Sequence, residues 1–285
     1  MTSPPSKTIE TLVEDIYDLF DPTKTHEPSE ENLESFAANL KELLRTRFKD
    51  SPEFSDRPIR FSSLGRPDRQ VWFEAHPLEG SKEPLLPKTY IKFLFGDIWE
   101  QLLLFLCKEA GHQVSHEQAQ VELRGVTGSI DAIIDGFVVD CKSASPYGYK
   151  KFATETVVED DPFGYVDQLA GYSNILTPNK DAYWLATEKV QGDICISKLD
   201  AKVIKYHQPD PRIEHLQEVV ASDEVPPLCY EPVPDGASGN MKLPTPCSYC
   251  AHKFRCHPGV RTFLYSTGPR YLTTVKKEPN VQEIT

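Results

Sequence analysis

The segment covering residues 128–143 constrains the fold of this chain more than any other part of the sequence. Two runs rich in β-branched residues, 130–134 and 137–141, flank the dipeptide Asp135-Gly136. Asp-Gly is strongly preferred in two-residue turns of type I′, whose twist matches that of paired strands. The segment is therefore predicted to form an antiparallel β-hairpin.

The predicted hairpin brings two carboxylates face to face. Counting outward from the turn places Asp131 opposite Asp140, and side-chain alternation puts Lys142 on the same face as Asp140. Opposed carboxylates repel each other, and Mg²⁺ or Mn²⁺ relieves that repulsion while leaving room for water and phosphate oxygens. Lys142 can then position an attacking water or help to deprotonate it. An ordinary solvent-exposed hairpin is the alternative, and the placement of the second acid favours the metal site.

The order of the predicted elements indicates an α/β fold. A long apolar helix over about 89–110 precedes strand signals between 118 and 143, and a helix near 163–176 precedes short strands at 183–187 and 193–197. This order is typical of a mixed sheet flanked by helices.

Four segments are predicted along the chain. Residues 1–58 contain two amphipathic helical patterns and are expected to form an N-terminal helical extension used for packing. Residues 59–208 are expected to form the core. A proline-rich connection and a cysteine-containing segment that packs on the core occupy residues 209–268, and residues 269–285 are predicted to be a loose tail.

The composition indicates a soluble protein without a membrane partner. The chain has 285 residues and a formal net charge of −12, and its mean hydropathy is −0.44. No apolar run is long enough to cross a bilayer, and the first residues lack the pattern of a secretory signal, so a cytoplasmic location is expected. The negative charge argues against a protein that coats nucleic acid, but a nuclease needs only a local basic strip.

Three motifs in this chain resemble those of the PD-(D/E)XK nuclease superfamily. Asp131 with Asp140-Cys141-Lys142 resembles the superfamily's catalytic motif, and Gln168-Leu-Ala-Gly-Tyr172 is similar to the Q-x-x-x-Y motif of its RecB-like branch. That branch includes CRISPR-associated nucleases, the AddB nuclease domain and phage exonucleases. Gly96-x-x-x-Glu100 resembles the first motif, in which a helix supplies a metal ligand. The resemblance implies a restriction-endonuclease-like core with a mixed central sheet.

The resemblance also implies a function. It suggests a DNA nuclease dependent on Mg²⁺ or Mn²⁺, most similar to phage-type exonucleases that act on DNA ends in recombination, replication or genome breakdown. Such a nuclease would act in a bacterial or phage-infected cytosol, as a homo-oligomer or with a recombination or replication partner. A structure-specific endonuclease and a non-enzymatic DNA-binding or assembly subunit remain open alternatives.

The resemblance assigns roles to individual side chains. Under it, metal ligands are Glu100, Asp131, Asp140 and the backbone carbonyl of Cys141, and Lys142 orients the water. DNA contacts are assigned to Gln168, Tyr172, Arg66 and Arg69.

Three of the seven cysteines form a tight group in the sequence. Cys247, Cys250 and Cys256 are similar to a trio in iron–sulfur members of the same branch. Those members complete a four-iron cluster with a cysteine in a segment of the form Cys-x-Arg-x-x-Trp. The corresponding segment here begins at Pro67 and contains Arg69, so Pro67 stands where the cysteine is expected.

Three interpretations of the trio therefore stay open. Zn²⁺ bound with a fourth ligand such as His252, His257 or a remote cysteine is favoured. An iron–sulfur cluster completed by Asp68, Cys107 or Cys229 is the second interpretation. Unligated thiols are the third. Either metal would be structural and would hold the C-terminal segment on the core.

Overall fold

The computed structural model describes residues 7–49, 59–78 and 87–284. These residues form two compact units: 7–49, 60–65 and 87–213 in the first, and 59, 66–78 and 214–284 in the second. The ends of the predicted N-terminal extension, 1–6 and 50–58, lie outside the described residues.

A five-stranded mixed sheet forms the centre of the first unit. Its strand order is β1-β4-β5-β6-β7. The central pair β5–β6 is parallel, and every other pair is antiparallel. All seven residues of β6 are buried, as expected for a central strand covered on both faces. The mixed sheet and both late strands were predicted correctly. The strands of this unit are β1 (Val114–Ser115), β2 (Gln120–Leu123), β3 (Val126–Ser129), β4 (Ala132–Ile134), β5 (Phe137–Ala144), β6 (Ala182–Glu188) and β7 (Ile194–Leu199).

The predicted hairpin is confirmed as β4 and β5. Ile134 pairs with Phe137 across the turn, and Asp135 and Gly136 both have positive φ angles, 50° and 84°. Two positive φ angles define the type I′ turn that Asp-Gly favours. The strand pairing ends at Ala132, so Asp131 lies immediately before β4.

Helices surround this sheet. The predicted long helix corresponds to α4, and the helix near 163–176 corresponds to α6. Helix α3 (Asp68–Ala75) lies in the second unit, and α8 (Pro209–Ala221) begins in the first unit and ends in the second. The other helices of the first unit are α1 (Leu12–Asp18), α2 (Glu30–Lys49), α4 (Pro87–Glu109), α5 (Pro146–Ala153), α6 (Tyr165–Leu176) and α7 (Ala201–Ile204).

The first helix is part of the main core rather than an appended lobe. Leu12 and Ile16 of α1 are fully buried and belong to the same hydrophobic cluster as Leu103 and Leu104 of α4 and Ile134 of β4. Residues four apart lie on one face of a helix, so this face of α1 packs inward. The predicted separation of residues 1–58 from the core is therefore wrong for α1.

The predicted connection after residue 209 is also wrong in part, because α8 occupies its first thirteen residues. Pro209 and Pro211 lie in the first turn of α8, where a missing backbone N–H costs little. Ile213 and Leu216 are fully buried. The prolines were misread as a loop signal, although the buried apolar positions follow helical spacing.

The second unit contains a five-stranded sheet of order β12-β10-β11-β9-β8. The segment predicted as a loose tail contributes β11 and β12 to it, and both pair with β10. Phe263 and Leu272 are buried and anchor this sheet. The ranges are β8 (Val233–Pro234), β9 (Met241–Lys242), α9 (Thr245–Tyr249), α10 (Lys253–Cys256), β10 (Arg261–Tyr265), β11 (Gly268–Thr274) and β12 (Glu283–Ile284).

None of the helices in the described part of the chain combines the length and the apolar character needed to span a bilayer.

The contact between Gly65 and Gly164 yields a stability prediction. A Cβ atom added to Gly65 would lie 2.2 Å from the Cα of Gly164, which itself has a φ of +77° and precedes α6. We expect Gly65→Ala to destabilise the protein by about 1–3 kcal/mol, because the backbone must shift to relieve the overlap. Gly148→Ala is the matched control, since its added Cβ meets only ordinary contacts at 3.5 Å. Urea unfolding measures both variants, and equal midpoints would contradict the close approach.

Candidate active site

Three elements bring charged side chains together at one end of the hairpin. Strand β5 carries Asp140 and Lys142, helix α4 carries Glu100, and Asp131 immediately precedes β4. The carboxylates of Asp131 and Asp140 each raise the pKa of Glu100, so all three acids lie within range of one another. The structure thus groups all four side chains that were predicted to be catalytic.

Asp140 and Lys142 form an ion pair on one face of β5. The Lys142 Nζ lies 2.6 Å from Asp140 Oδ2, and the Asp140 side chain is 8% exposed. Burial disfavours the ammonium, but the charges of Asp140 and Asp131 outweigh burial and raise the pKa of Lys142. As an ammonium, Lys142 can donate hydrogen bonds and supply positive charge.

Asp131 faces this pair from the other strand. The backbone N–H of Cys141 donates a hydrogen bond to Asp131 Oδ2 at 2.6 Å. Burial and the nearby charge of Asp140 raise the pKa of Asp131 to about 7, against the lowering effect of Lys142 and of that hydrogen bond. One ammonium is thus insufficient to balance the two aspartates.

Glu100 adds a third carboxyl group. Burial, followed by the charges of Asp131, Asp97 and Asp140, raises the pKa of Glu100 to about 9. The side-chain amide of Gln118 donates a hydrogen bond to Glu100 Oε1. A carboxyl group with this pKa is protonated at neutral pH unless additional positive charge is supplied.

The glycine of the predicted first motif has a packing role. An added Cβ at Gly96 would lie 3.4 Å from the Oγ of Ser143, so α4 passes close to β5 at this point. Glu100 is one helical turn further along α4, which directs it toward the same end of the strand.

The donor set fits a hard divalent cation. If all three carboxyl groups are ionised, the single ammonium leaves an excess of negative charge at a partly buried position. Carboxylate oxygens are the ligands preferred by Mg²⁺ and Mn²⁺. Within the described ranges, no group of three or more His, Cys, Asp or Glu side chains is arranged so that it could hold a metal ion. The fit therefore rests on the chemistry of the donors and on the raised pKa values of Glu100 and Asp131.

The two residues of the Q-x-x-x-Y motif lie on one face of α6 and interact with each other. A hydrogen bond from the Gln168 side chain reaches the Tyr172 hydroxyl. Tyr172 is 3% exposed, and its ring stacks on Phe61 with a centroid distance of 4.9 Å. An added Cβ at Gly128 would lie 2.5 Å from its hydroxyl. These contacts pack Tyr172 inward, and its contact with DNA stays a prediction.

Tyr165 is a neighbour of the site that the sequence motifs did not identify. The Nζ of Lys142 lies 4.8 Å from the centre of its ring, a distance typical of a cation–π contact. Tyr165 is three residues before Gln168 and seven before Tyr172, so it shares their helical face. The helical spacing from Tyr165 to Gln168 and Tyr172 is a signal in the sequence that indicates Tyr165 as a neighbour of the site.

The two arginines predicted to bind DNA have other partners within the second unit. Arg66 forms an ion pair with Glu74 at 2.9 Å. The Nε of Arg69 donates a hydrogen bond to the Sγ of Cys256 at 3.2 Å, and its guanidinium also bonds to the carbonyl of Pro226. These contacts hold Arg69 beside Cys256, and the DNA contacts of Arg66 and Arg69 stay a prediction.

The cysteine trio comes together in the second unit. Burial, followed by Cys250 and Cys256, raises the pKa of Cys247 to about 12. Two candidates for a fourth ligand have other surroundings: Asp68 forms an ion pair with His215 at 2.7 Å, and Cys107 is fully buried in the hydrophobic cluster of the first unit.

Comparisons with known proteins identify no family for this chain. No family model and no curated protein sequence matches it. Among solved structures, one described as the crystal structure of SSO0001 is similar at 16% sequence identity, with 77% of this chain and 93% of that chain covered and a TM-score of 0.39. A similarity of this size is too low to establish a shared fold.

The charge excess at the site yields a testable prediction for Asp131→Asn. We expect this variant to raise the melting temperature of the metal-free protein by about 2–4 °C, the shift produced by about 1 kcal/mol in a domain of this size, because one repelling carboxylate is removed. The same variant should lose the stabilisation that Mn²⁺ or Mg²⁺ gives to the wild type.

The control for this prediction is Asp193→Asn, in the exposed turn between β6 and β7. It should leave both the metal-free melting temperature and the metal response unchanged. A lower melting temperature for metal-free Asp131→Asn would show that the Cys141 hydrogen bond outweighs the repulsion.

Proposed function

We propose that the first unit is a DNA nuclease of the PD-(D/E)XK class with a restriction-endonuclease-like core, and that it requires Mg²⁺ or Mn²⁺. The observation that carries this proposal is the buried Asp140–Lys142 ion pair beside two further carboxyl groups with raised pKa values. A purely structural ion pair gains nothing from two additional acids in the same place. A site that binds a cation and a phosphate needs them.

The metal ligands in this proposal are Glu100, Asp131, Asp140 and the backbone carbonyl of Cys141. A bound divalent cation supplies Lewis-acid stabilisation of the phosphate and a more acidic water. The chain itself must hold the phosphate and the water in place, and this is the role that the remaining side chains can fill.

Lys142 orients the attacking water and neutralises charge on the phosphate in this mechanism. Its raised pKa keeps the ammonium charged, and Asp140 at 2.6 Å fixes its position. The ring of Tyr165 borders the ammonium on another side. An ammonium restrained in this way can donate hydrogen bonds to water and to a phosphate oxygen without moving far, which lowers the reorganisation that the reaction requires.

Gln168 is the side chain of α6 that we assign to the DNA strand. Its amide is only partly buried, and its hydrogen bond to Tyr172 restrains it. Because Tyr172 is packed between Phe61 and Gly128, it holds Gln168 at a defined position. We expect Tyr172→Phe to weaken DNA binding through loss of this restraint, with little effect on the chemical step.

We further propose that this nuclease acts on DNA ends, as an exonuclease in recombination, replication or genome breakdown, alone, as a homo-oligomer or with a partner from those processes. An endonuclease would use the same catalytic side chains, so the distinction depends on the products. In the second unit we propose that Cys247, Cys250 and Cys256 bind a structural metal, either Zn²⁺ or a four-iron cluster.

The decisive experiment is the degradation of end-labelled linear single- and double-stranded DNA beside a closed circle, with Mg²⁺, Mn²⁺ or EDTA. We expect metal-dependent loss of the linear substrates only. Lys142→Ala and Asp140→Asn should each lower the rate by at least about 10²-fold, because the first removes the ammonium that faces the reacting phosphate and the second removes a charged metal ligand. Lys202→Ala, on the exposed surface of α7, is the matched control and should retain full activity.

The other outcomes of this experiment are equally informative. Cutting of the circle would identify an endonuclease. No cleavage by the wild type with any metal would support a non-enzymatic DNA-binding subunit. Full turnover by both Lys142→Ala and Asp140→Asn would exclude this site as the catalytic centre. Circular dichroism of each variant separates a loss of chemistry from a loss of folding.

A further inference from the structure

Cys229 joins the cysteine trio although it is eighteen residues before Cys247 in the sequence. Its thiol accepts hydrogen bonds from the backbone N–H groups of Arg69 and Gln70 in the first turn of α3. This turn follows Pro67, which stands where the iron–sulfur members of the RecB-like branch have a cysteine. The sulfur of Cys229 therefore approaches the segment from which that cysteine is missing.

Arg69 connects two of the four sulfurs. Its backbone N–H bonds to Cys229, while its side-chain Nε lies 3.2 Å from the Sγ of Cys256. The ring of Phe73, one turn further along α3, lies 5.2 Å from the same guanidinium and restrains it. Arg69 therefore contacts the sulfurs of both Cys229 and Cys256.

The third sulfur also has a backbone donor. The N–H of His252 lies 3.4 Å from the Sγ of Cys250, and Cys247 is buried three residues earlier in α9. N–H donors directed at sulfur are typical of metal-bound thiolates, because they stabilise and orient the ligands. Three of the four thiols already have such donors.

The four thiols act on one another electrostatically. Burial is the main cause that raises the pKa values of Cys229, Cys247 and Cys250. The charge of Cys256 raises all three pKa values further, and the charge of Cys229 raises those of Cys247 and Cys250. Each of the four thiols therefore lies within electrostatic range of at least one other.

The nearest alternative ligand has different neighbours. His257 follows Cys256 directly, and its Nε2 is buried without a hydrogen-bond partner among the described residues. Cys229, in contrast, accepts backbone hydrogen bonds from Arg69 and Gln70, and the side chain of the same Arg69 contacts Cys256 at 3.2 Å. Cys229 thus fits the fourth position better than His257.

We propose that Cys229 is the fourth ligand of a metal centre formed with Cys247, Cys250 and Cys256, and that it takes the place of the cysteine replaced by Pro67. Four thiolates suit either tetrahedral Zn²⁺ or a four-iron cluster. The inference deepens the structural metal proposed for the second unit and is independent of the nuclease activity proposed for the first.

The test is metal analysis of the full-length protein purified without oxygen from cells supplied with iron and zinc. We expect about one Zn²⁺ or one iron–sulfur cluster per chain. Zinc, iron and acid-labile sulfide are measured together with visible absorption, so that the two kinds of centre are distinguished. Cys229→Ser and Cys250→Ser should both lose the metal and lower the melting temperature. Cys195→Ser, in β7 of the first unit, should retain it.

A second measurement covers the case in which Cys229→Ser fails to fold. In the wild type, thiol alkylation mapped by mass spectrometry should show that Cys229, Cys247, Cys250 and Cys256 are protected together and become reactive together when a chelator is added. Alkylation of Cys229 at the same rate with and without chelator would overturn the proposal. So would a wild type without metal, or loss of metal in His257→Ala but not in Cys229→Ser. Nuclease activity is assayed on the same samples, so that failure at either site is detected separately.

Discussion

The electrostatic repulsion among Glu100, Asp131 and Asp140, which surround Lys142, is the constraint that the fold of the first unit must accommodate. Removing one charge from water into a protein interior costs several kcal/mol unless a partner compensates for it. Asp140 has such a partner in Lys142, whereas Glu100 and Asp131 respond to the same surroundings with raised pKa values. Functional sites are often maintained at the expense of stability in this way, since the charges that destabilise the empty site bind the ligand.

The architecture around these charges explains how the repulsion is tolerated. Strand β5 is bordered by the antiparallel strand β4 and the parallel strand β6, so its backbone is hydrogen-bonded on both edges. On one side, α1 and α4 pack with β4 and β5 in a single hydrophobic cluster. The burial of this cluster stabilises the strand that carries Asp140 and Lys142 and the helix that carries Glu100.

The second unit also gathers ionisable side chains, which here are thiols. Its thiols raise one another's pKa values, and Arg69 and the backbone amides of α3 supply donors to the sulfurs. Arg69 thus contacts the cysteine group through its guanidinium. Oxygen donors prefer hard cations and sulfur donors prefer softer metals, so the metal proposals for the two units can be tested separately.

The sequence by itself determined the features that depend on residues close together in the chain. The dipeptide Asp135-Gly136 determined the turn of the hairpin and thereby its strand pairing. Because side chains alternate between the two faces of a strand, Asp140 and Lys142 lie on the same face of β5. The spacing of four put Gln168 and Tyr172 on one face of α6. Only the tertiary structure decided that Glu100 is buried beside two other acids, that Tyr172 packs inward, that α1 belongs to the core, and that Cys229 joins the trio. These outcomes depend on burial and on contacts between segments far apart in sequence, which no local periodicity encodes.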